Sequence, residues 1–156
     1  MKSIRILTLL LFLTTFQTSY ALCQDDEDCI TNIINDYVDA WNNHSGRGFA
    51  DHFAPDSDFI NIFGMHFRGK EAIQERHDAI LDTFLKGSTF TITDLALREV
   101  NPNLVMAFVR WKVEGFHKPG SDQNGPGETS QGIFSHVFIN DTGEWEITAT
   151  QNTLSN

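Results

Sequence analysis

The chain has 156 residues, 40% hydrophobic and 21% charged, which suits one domain with a real core and excludes a disordered or fibrous polymer. Its formal net charge of −10 argues against partners with phosphate backbones or anionic lipid surfaces. Phenylalanine occurs 13 times, which points to a core or cavity walled by aromatic rings.

Lys2 and Arg5 give a basic start, Ile6 to Phe16 is an apolar run, and Ser19-Tyr20-Ala21 is a small-x-small cleavage site. This is the layout of a secretory signal, expected to be removed after Ala21. A membrane anchor would need about 20 apolar residues, and Gln17, Thr18 and Ser19 cut the run short. Residues 1–21 are therefore read as a signal peptide, 22–29 as an N-terminal arm and 30–153 as the domain, secreted or periplasmic. A lipoprotein would acylate Cys23, but Leu22 is not the small residue such a site wants before it. Cys23 and Cys29 flank an acidic run and are able to pair as a terminal clip in an oxidising compartment, though not within a regular helix.

Ile30, Ile33, Ile34, Tyr37, Val38 and Trp41 trace one stripe of an amphipathic helix, preceded by the carboxylates of Asp25 to Asp28 and stopped at Asn42 to Gly46. A short second helix is expected over Phe49 to Phe53, with a turn at Pro55-Asp56 and a strand from Ser57 to Phe63. Gly64 turns the chain into a short strand, Met65 to Arg68. Gly69-Lys70-Glu71 then opens a third helix, with Ile73, Ile80, Leu81 and Phe84 apolar and Gly87 as its end. Four longer strands follow, Thr89 to Val100, Leu104 to Phe116, Thr129 to Ile139 and Trp145 to Thr153, separated by turns rich in Asn, Pro, Gly and Asp. Helices first and long antiparallel strands afterwards make an α+β order. The first helix is too apolar to face water, so a curved sheet should wrap around it.

Several residues are candidates for chemistry. His77 lies between Ile73 and Ile80 in the stripe of the third helix, either as a general base or ligand-orienting donor or as a satisfied core histidine. Tyr37 and Trp41, one turn apart, are able to face the same space. By alternation Asn61 shares a face with Phe59 and Phe63, and Asp58 takes the opposite face with Ile60 and Ile62. Asp58 is either a base or a plain strand-start carboxylate, and His66 sits on the next short strand. Trp111 either caps a cavity mouth or fills the core. Met106, Phe108, Phe134, His136 and Phe138 are read as an outer sheet face too apolar for solvent, and hence as a homodimer interface. No paired histidine spacing, phosphate loop, serine elbow or dinucleotide glycine fingerprint occurs, so neither metal nor cofactor is expected. Asn43-His44-Ser45 and Asn140-Asp141-Thr142 are glycosylation-type triplets.

The stretches Asp36 to Asn42, Phe53 to Phe59, Phe67 to Ile73 and Trp145 to Thr153 resemble, in order and spacing, the nuclear transport factor 2-like superfamily, nearest its SnoaL-like and SgcJ/EcaC-type branch. The resemblance implies a cone: a curved, mostly antiparallel sheet wrapped around three helices from the N-terminal half, enclosing a cavity, often with a dimer through the outer sheet face. Set against the ketosteroid isomerases of this fold, Tyr37 falls on the oxyanion-hole tyrosine. Asn61 falls on the general-base aspartate and Ser135 on the second oxyanion donor. An amide is no base near neutral pH, so that route to isomerisation is not expected. Gln151, in the closing stretch, joins Trp41, Asn61, His66, Trp111 and Ser135 as an expected ligand contact.

The expectation is thus an exported, dimeric domain whose apolar-lined cavity binds a small molecule. One alternative is an isomerase, cyclase or dehydratase with His77 or Asp58 as base and Tyr37 as electrophile. The other is an interaction domain whose cavity is packed core.

Overall fold

The computed structural model describes residues 24–118, 120–122 and 125–155. The signal segment, its cleavage site and Cys23 lie outside the described residues.

Helix α1 spans Gln24–Asn42, starting ahead of the apolar stripe that marks it in the sequence. Asp25, Asp26 and Glu27, expected before the helix, form its first turn, where carboxylates meet the positive end of the helix dipole. Asp26 also accepts a hydrogen bond from Trp145 Nε1 at 2.9 Å, tying that turn to the far end of the chain. Cys29 is exposed on this helix.

Helix α2 is Gly46–Phe49, earlier than the expected Phe49 to Phe53, because the Ser45 hydroxyl caps it by accepting from Gly48 N–H. Strand β1, Phe53–Ile60, runs straight through Pro55-Asp56, where a turn was expected. A register shift between Phe53 and Asp58 opens the ladder there, so the missing proline N–H costs no pairing. Strand β2 is His66–Arg68 and helix α3 is Lys70–Leu81. Strands β3 (Thr89–Asn101), β4 (Leu104–Phe116), β5 (Glu128–Ile139) and β6 (Glu146–Leu154) lie close to their expected spans.

The strands form one open six-stranded sheet in the order β2-β1-β6-β5-β4-β3, antiparallel except for the β1–β6 pair. Its concave face carries Phe90, Val105, Ala107, Val109, Trp111, Phe134 and Phe138, all buried. α1 lies against β3 and α2, while α3 packs on α2, β1 and β2. Tyr37, Phe49, Phe53 and Ile73 complete a continuous core between helices and sheet. Burying such side chains stabilises the cone by about 1.5–3 kcal/mol each. No helix among the described residues is long and apolar enough to cross a membrane.

Phe134, His136 and Phe138, expected on the outer sheet face, are buried on the concave side. The outer face of β4 and β5 is formed instead by their neighbours: Met106 opposite Val137, Leu104 opposite Ile139 and Phe108 opposite Ser135. A strand shows one parity of residues to each face, and the inward parity belongs to the set that meets α1.

Candidate functional site

Between α3, the turn after β1 and the concave sheet lies a cavity of about 560 Å³. Trp41, Phe59, Phe84, Phe90, Trp111, Phe116 and Phe134 give it aromatic walls, with Ile80, Leu85 and Val113 between them. Its polar lining is sparse: Asn61, Arg76, His77, Lys118, Ser130 and Asn152. An apolar volume of this size with a few polar groups is the usual form of a small-molecule site. Among the described residues no cluster of histidine, cysteine, aspartate or glutamate is arranged to hold a metal ion.

Trp111 reaches the cavity because its cross-strand partner is Gly132. A Cβ at Gly132 would lie 2.3 Å from Trp111 Cζ2, so only glycine leaves the indole its place. From there Trp111 Nε1 donates to Asn152 Oδ1 at 3.1 Å. Trp41 Nε1 donates to Ser88 Oγ at 3.0 Å. Both tryptophans therefore present rings, with their N–H groups already occupied.

His77 is buried and stacks on Phe49 with ring centroids 3.8 Å apart, while Phe59 meets it edge-on at 5.1 Å. Its Nδ1 lies 2.7 Å from the Ile73 carbonyl oxygen. A carbonyl only accepts, so Nδ1 carries the proton and Nε2 keeps its lone pair on a ring that walls the cavity. Burial pushes its pKa down to about 4, helped by the charge of Arg76 and opposed by the Ile73 bond. At neutral pH His77 is a neutral acceptor.

Asn61 follows the end of β1. Its Oδ1 accepts from Phe63 N–H at 3.0 Å and from Met65 N–H at 2.9 Å, holding the turn that bounds the cavity. Those two donors fix the orientation of the amide and turn its NH₂ group away from the backbone. Phe63 lines the cavity with Asn61, but from the turn, where it is 70% exposed because β1 ends at Ile60.

Other expected site residues lie elsewhere. Tyr37 is fully buried in the core and does not line the cavity. Its hydroxyl is hydrogen-bonded to His136 Nε2 at 3.4 Å, and His136 Nδ1 to Thr150 Oγ1 at 2.7 Å. Burial raises the Tyr37 pKa well beyond its ordinary value and lowers that of His136 to about 3, so the whole network is neutral. Asp58 stands on the opposite side of the sheet from the cavity, paired with His66 Nε2 at 2.5 Å. Neither of them lines the cavity, which also removes Asp58 as a base within it.

Ser135 and Gln151 face each other on the outer side of β5 and β6. The inward neighbours are Phe134 with Asn152 and His136 with Thr150. A register shift between Val137 and Phe138, opposite the extra residue Thr148, reverses the parity of β6. Counted from the buried Ile147, simple alternation puts Gln151 inside, whereas the bulge puts Asn152 there. Asn152, Ser130, Lys118 and Arg76 are the polar cavity residues that alternation and motif reading missed.

Residues 34–146 match the SnoaL-like domain. No curated protein matches the chain. A solved domain of unknown function with a cystatin-like fold from Nostoc punctiforme is 30% identical, over 86% of this chain and 80% of that one, with a TM-score of 0.73. A scytalone dehydratase, so named putatively, from Novosphingobium aromaticivorans is 13% identical over 85% of each chain, at a TM-score of 0.71. A hexachlorocyclohexane dehydrochlorinase, LinA Type2, is 10% identical over 85% of this chain and 86% of that one, at 0.74. The last two likenesses are of fold alone. The match over most of the chain, with the cone just described, makes this protein a member of the SnoaL-like family within the nuclear transport factor 2-like superfamily.

Proposed function

We propose that this protein binds a small, largely apolar molecule in the cavity between α3 and the concave sheet. The observation that carries the reading is the unfilled volume of about 560 Å³ walled by aromatic rings beside the unshared Nε2 of His77. Core that served packing alone would close such a space, since interiors pack to crystal density and voids cost stability. A neutral acceptor inside an apolar cavity suits a ligand that brings one hydroxyl or N–H. The test is thermal stabilisation by 2-naphthol, an apolar bicycle with one hydroxyl, in the chain and in Ile80→Trp, whose indole would occupy the cavity. Stabilisation of the former and not of the latter is expected. No stabilisation of either, or equal stabilisation of both, would overturn the reading.

A second reading makes His77 a general base. Its fixed tautomer favours this, since Nε2 is the atom a bound carbon acid would meet. Proteins of this fold bear the names dehydratase and dehydrochlorinase, both of which denote eliminations, a class that needs such a base. Against it stands the lowered basicity of His77, held by a carbonyl and not by a carboxylate. Turnover of a chlorinated cyclohexane or a β-hydroxy ketone, abolished in His77→Gln, is the outcome this reading requires. Turnover retained in His77→Gln would exclude it.

We further propose that the chain is exported and pairs through the outer face of β4 and β5. Support for export is the basic, apolar and small-residue order of residues 1–21. Support for pairing is the half-buried apolar set Met106, Phe108, Ile133, Val137 and Ile139 on a sheet face that no helix among the described residues covers.

A further inference from the structure

The cavity's polar groups are unequal in kind. Backbone N–H groups and the Trp111 indole N–H are donors only, so the oxygens of Asn61 and Asn152 must face them. Each side chain is left with its NH₂ group, and neither NH₂ donates to a partner among the described residues. The two amides are neighbours, because they follow Ile60 and Gln151, the last paired residues of the parallel β1–β6 ladder. Arg76 adds a third donor. Its guanidinium carbon lies 5.8 Å above the centre of the Phe67 ring, and Phe67 pairs with Phe59, two residues before Asn61. Arg76 forms no ion pair among the described residues, although acidic residues outnumber basic ones by 21 to 11 in the chain. Among the described residues no aspartate or glutamate lines the cavity, and its second cation, Lys118, is paired with Glu128. Set against these donors, the cavity offers His77 Nε2 as an acceptor, beside the Ser130 hydroxyl, which both donates and accepts.

We propose that the ligand is an apolar-bodied carboxylate, its oxygens received by the amide groups of Asn61 and Asn152 and by Arg76, its ring or chain seated among the aromatic walls. The proposal rests on reading the cavity as a ligand site and names the chemistry of that ligand. A planar guanidinium and two amide donors fit a carboxylate's lone pairs. The absence of lining carboxylates removes the repulsion that an acidic chain would otherwise impose on an anion. The ordinary structural role of Arg76, a cation resting on Phe67, leaves its N–H edges available.

The experiment is calorimetric titration of the protein with 2-naphthoate and with 2-naphthylmethanol, which share one ring system and differ in the head group. The naphthoate should bind at least about tenfold tighter, as expected where charge-assisted hydrogen bonds replace neutral ones. Asn152→Asp keeps an oxygen for Trp111 and exchanges the donor for a repelling carboxylate. It should abolish the preference while leaving the alcohol within about twofold of its original affinity. Arg76→Gln, at a half-buried position of α3, should move the ratio in the same direction and provides the test if Asn152→Asp does not fold. Equal binding of the two probes overturns the carboxylate and leaves the cavity reading standing. Binding of neither, by protein that melts normally, overturns both. A preference that survives both substitutions places the anion elsewhere and overturns the proposal.

Discussion

The rings of His77 and Phe49 lie nearly parallel, with centroids 3.8 Å and planes 19° apart, so the acceptor that His77 offers the cavity is braced by the short helix α2. Gly46 makes this possible, since a Cβ there would lie 2.2 Å from the backbone nitrogen of Asp78 on α3. The stack separates two roles of His77. His77→Phe keeps the aromatic contact and removes Nε2, and should cost within about 1 kcal/mol in urea unfolding. His77→Ala removes the contact as well and should cost about 2–4 kcal/mol. Equal, small losses in both would mean that the stack does not hold the site.

Acid should destabilise the fold before most proteins of its composition would feel it. The folded pKa values are about 4 for His77 and about 3 for His136, against 6.5 when unfolded. Above pH 6.5 neither state binds the proton and stability is unaffected by them. As pH falls below 6.5 the unfolded chain takes up protons that the folded chain refuses, so stability is lost, until the folded pKa is reached. Each histidine contributes a slope of about 1.4 kcal/mol per pH unit across that window. His136→Gln should lower stability at pH 7, because it disturbs the Tyr37–His136–Thr150 network, yet show a shallower decline between pH 6 and 4. Unfolding curves at a series of pH values check this, and an unchanged slope would mean that His136 is protonated in the folded state.

The elements that alternate cleanly were legible in the sequence, and the ones that do not were lost at their irregularities. The stripe from Ile30 to Trp41 marks α1 because one face of that helix is buried throughout. Asn61 and His77 both reach the cavity as their patterns suggest, one at the end of a strand and the other in a helical stripe. Ser135 and Gln151, expected in the cavity, lie outside it, because residue period alone does not reveal the bulge at Thr148 that reverses β6. Tyr37 points inward as expected, yet its hydroxyl is bonded to His136, and Phe134 and Phe90, whose rings touch the tyrosine, line the cavity in its place. Nothing in residue spacing reveals a contact across 99 positions. Arg76 carried no signal at all, since a charged residue on a helix is ordinarily a solvated one.

Gly132 should be the least replaceable residue of β5. In Gly132→Ala the new Cβ would stand 2.3 Å from Trp111 Cζ2 and 2.5 Å from the Thr153 carbonyl oxygen. The indole must then swing away and give up its bond to Asn152. Overpacking of this kind costs about 1–3 kcal/mol, and the displaced tryptophan should shift its fluorescence emission to longer wavelength. Unaltered stability and emission would show that the sheet can relax around the methyl group.

Protein recovered from a secreting host should have the mass of a chain that begins at Leu22, following the Ser19-Tyr20-Ala21 site. A chain retaining Met1 to Ala21 in the cell membrane fraction would exclude export by cleavage.

Pairing through the outer sheet face makes a prediction that the cavity does not share. Phe108 lies opposite Ala96 on one side and Ser135 on the other, both on the outer face, so its side chain takes no part in the concave core. Charged residues flank the apolar set, with Arg110 near Asp94 at 4.0 Å and Lys112 on Glu114 at 2.8 Å. An apolar centre with a charged rim is the pattern expected of the proposed interface. Phe108→Lys should therefore leave the circular dichroism and the thermal midpoint of the folded protomer nearly unchanged, as exposed substitutions usually do, within about 0.5 kcal/mol. In sedimentation at micromolar concentration it should halve the mass, because two buried lysines would face each other across a two-fold axis. The chain's charge of −10 adds a further condition. Two such copies repel, so association should strengthen as salt rises from about 0.01 to 0.15 M and the screening length shortens from about 30 to 8 Å. A wild-type protein that sediments as a monomer across that range would mean that its outer apolar face is not where two copies meet.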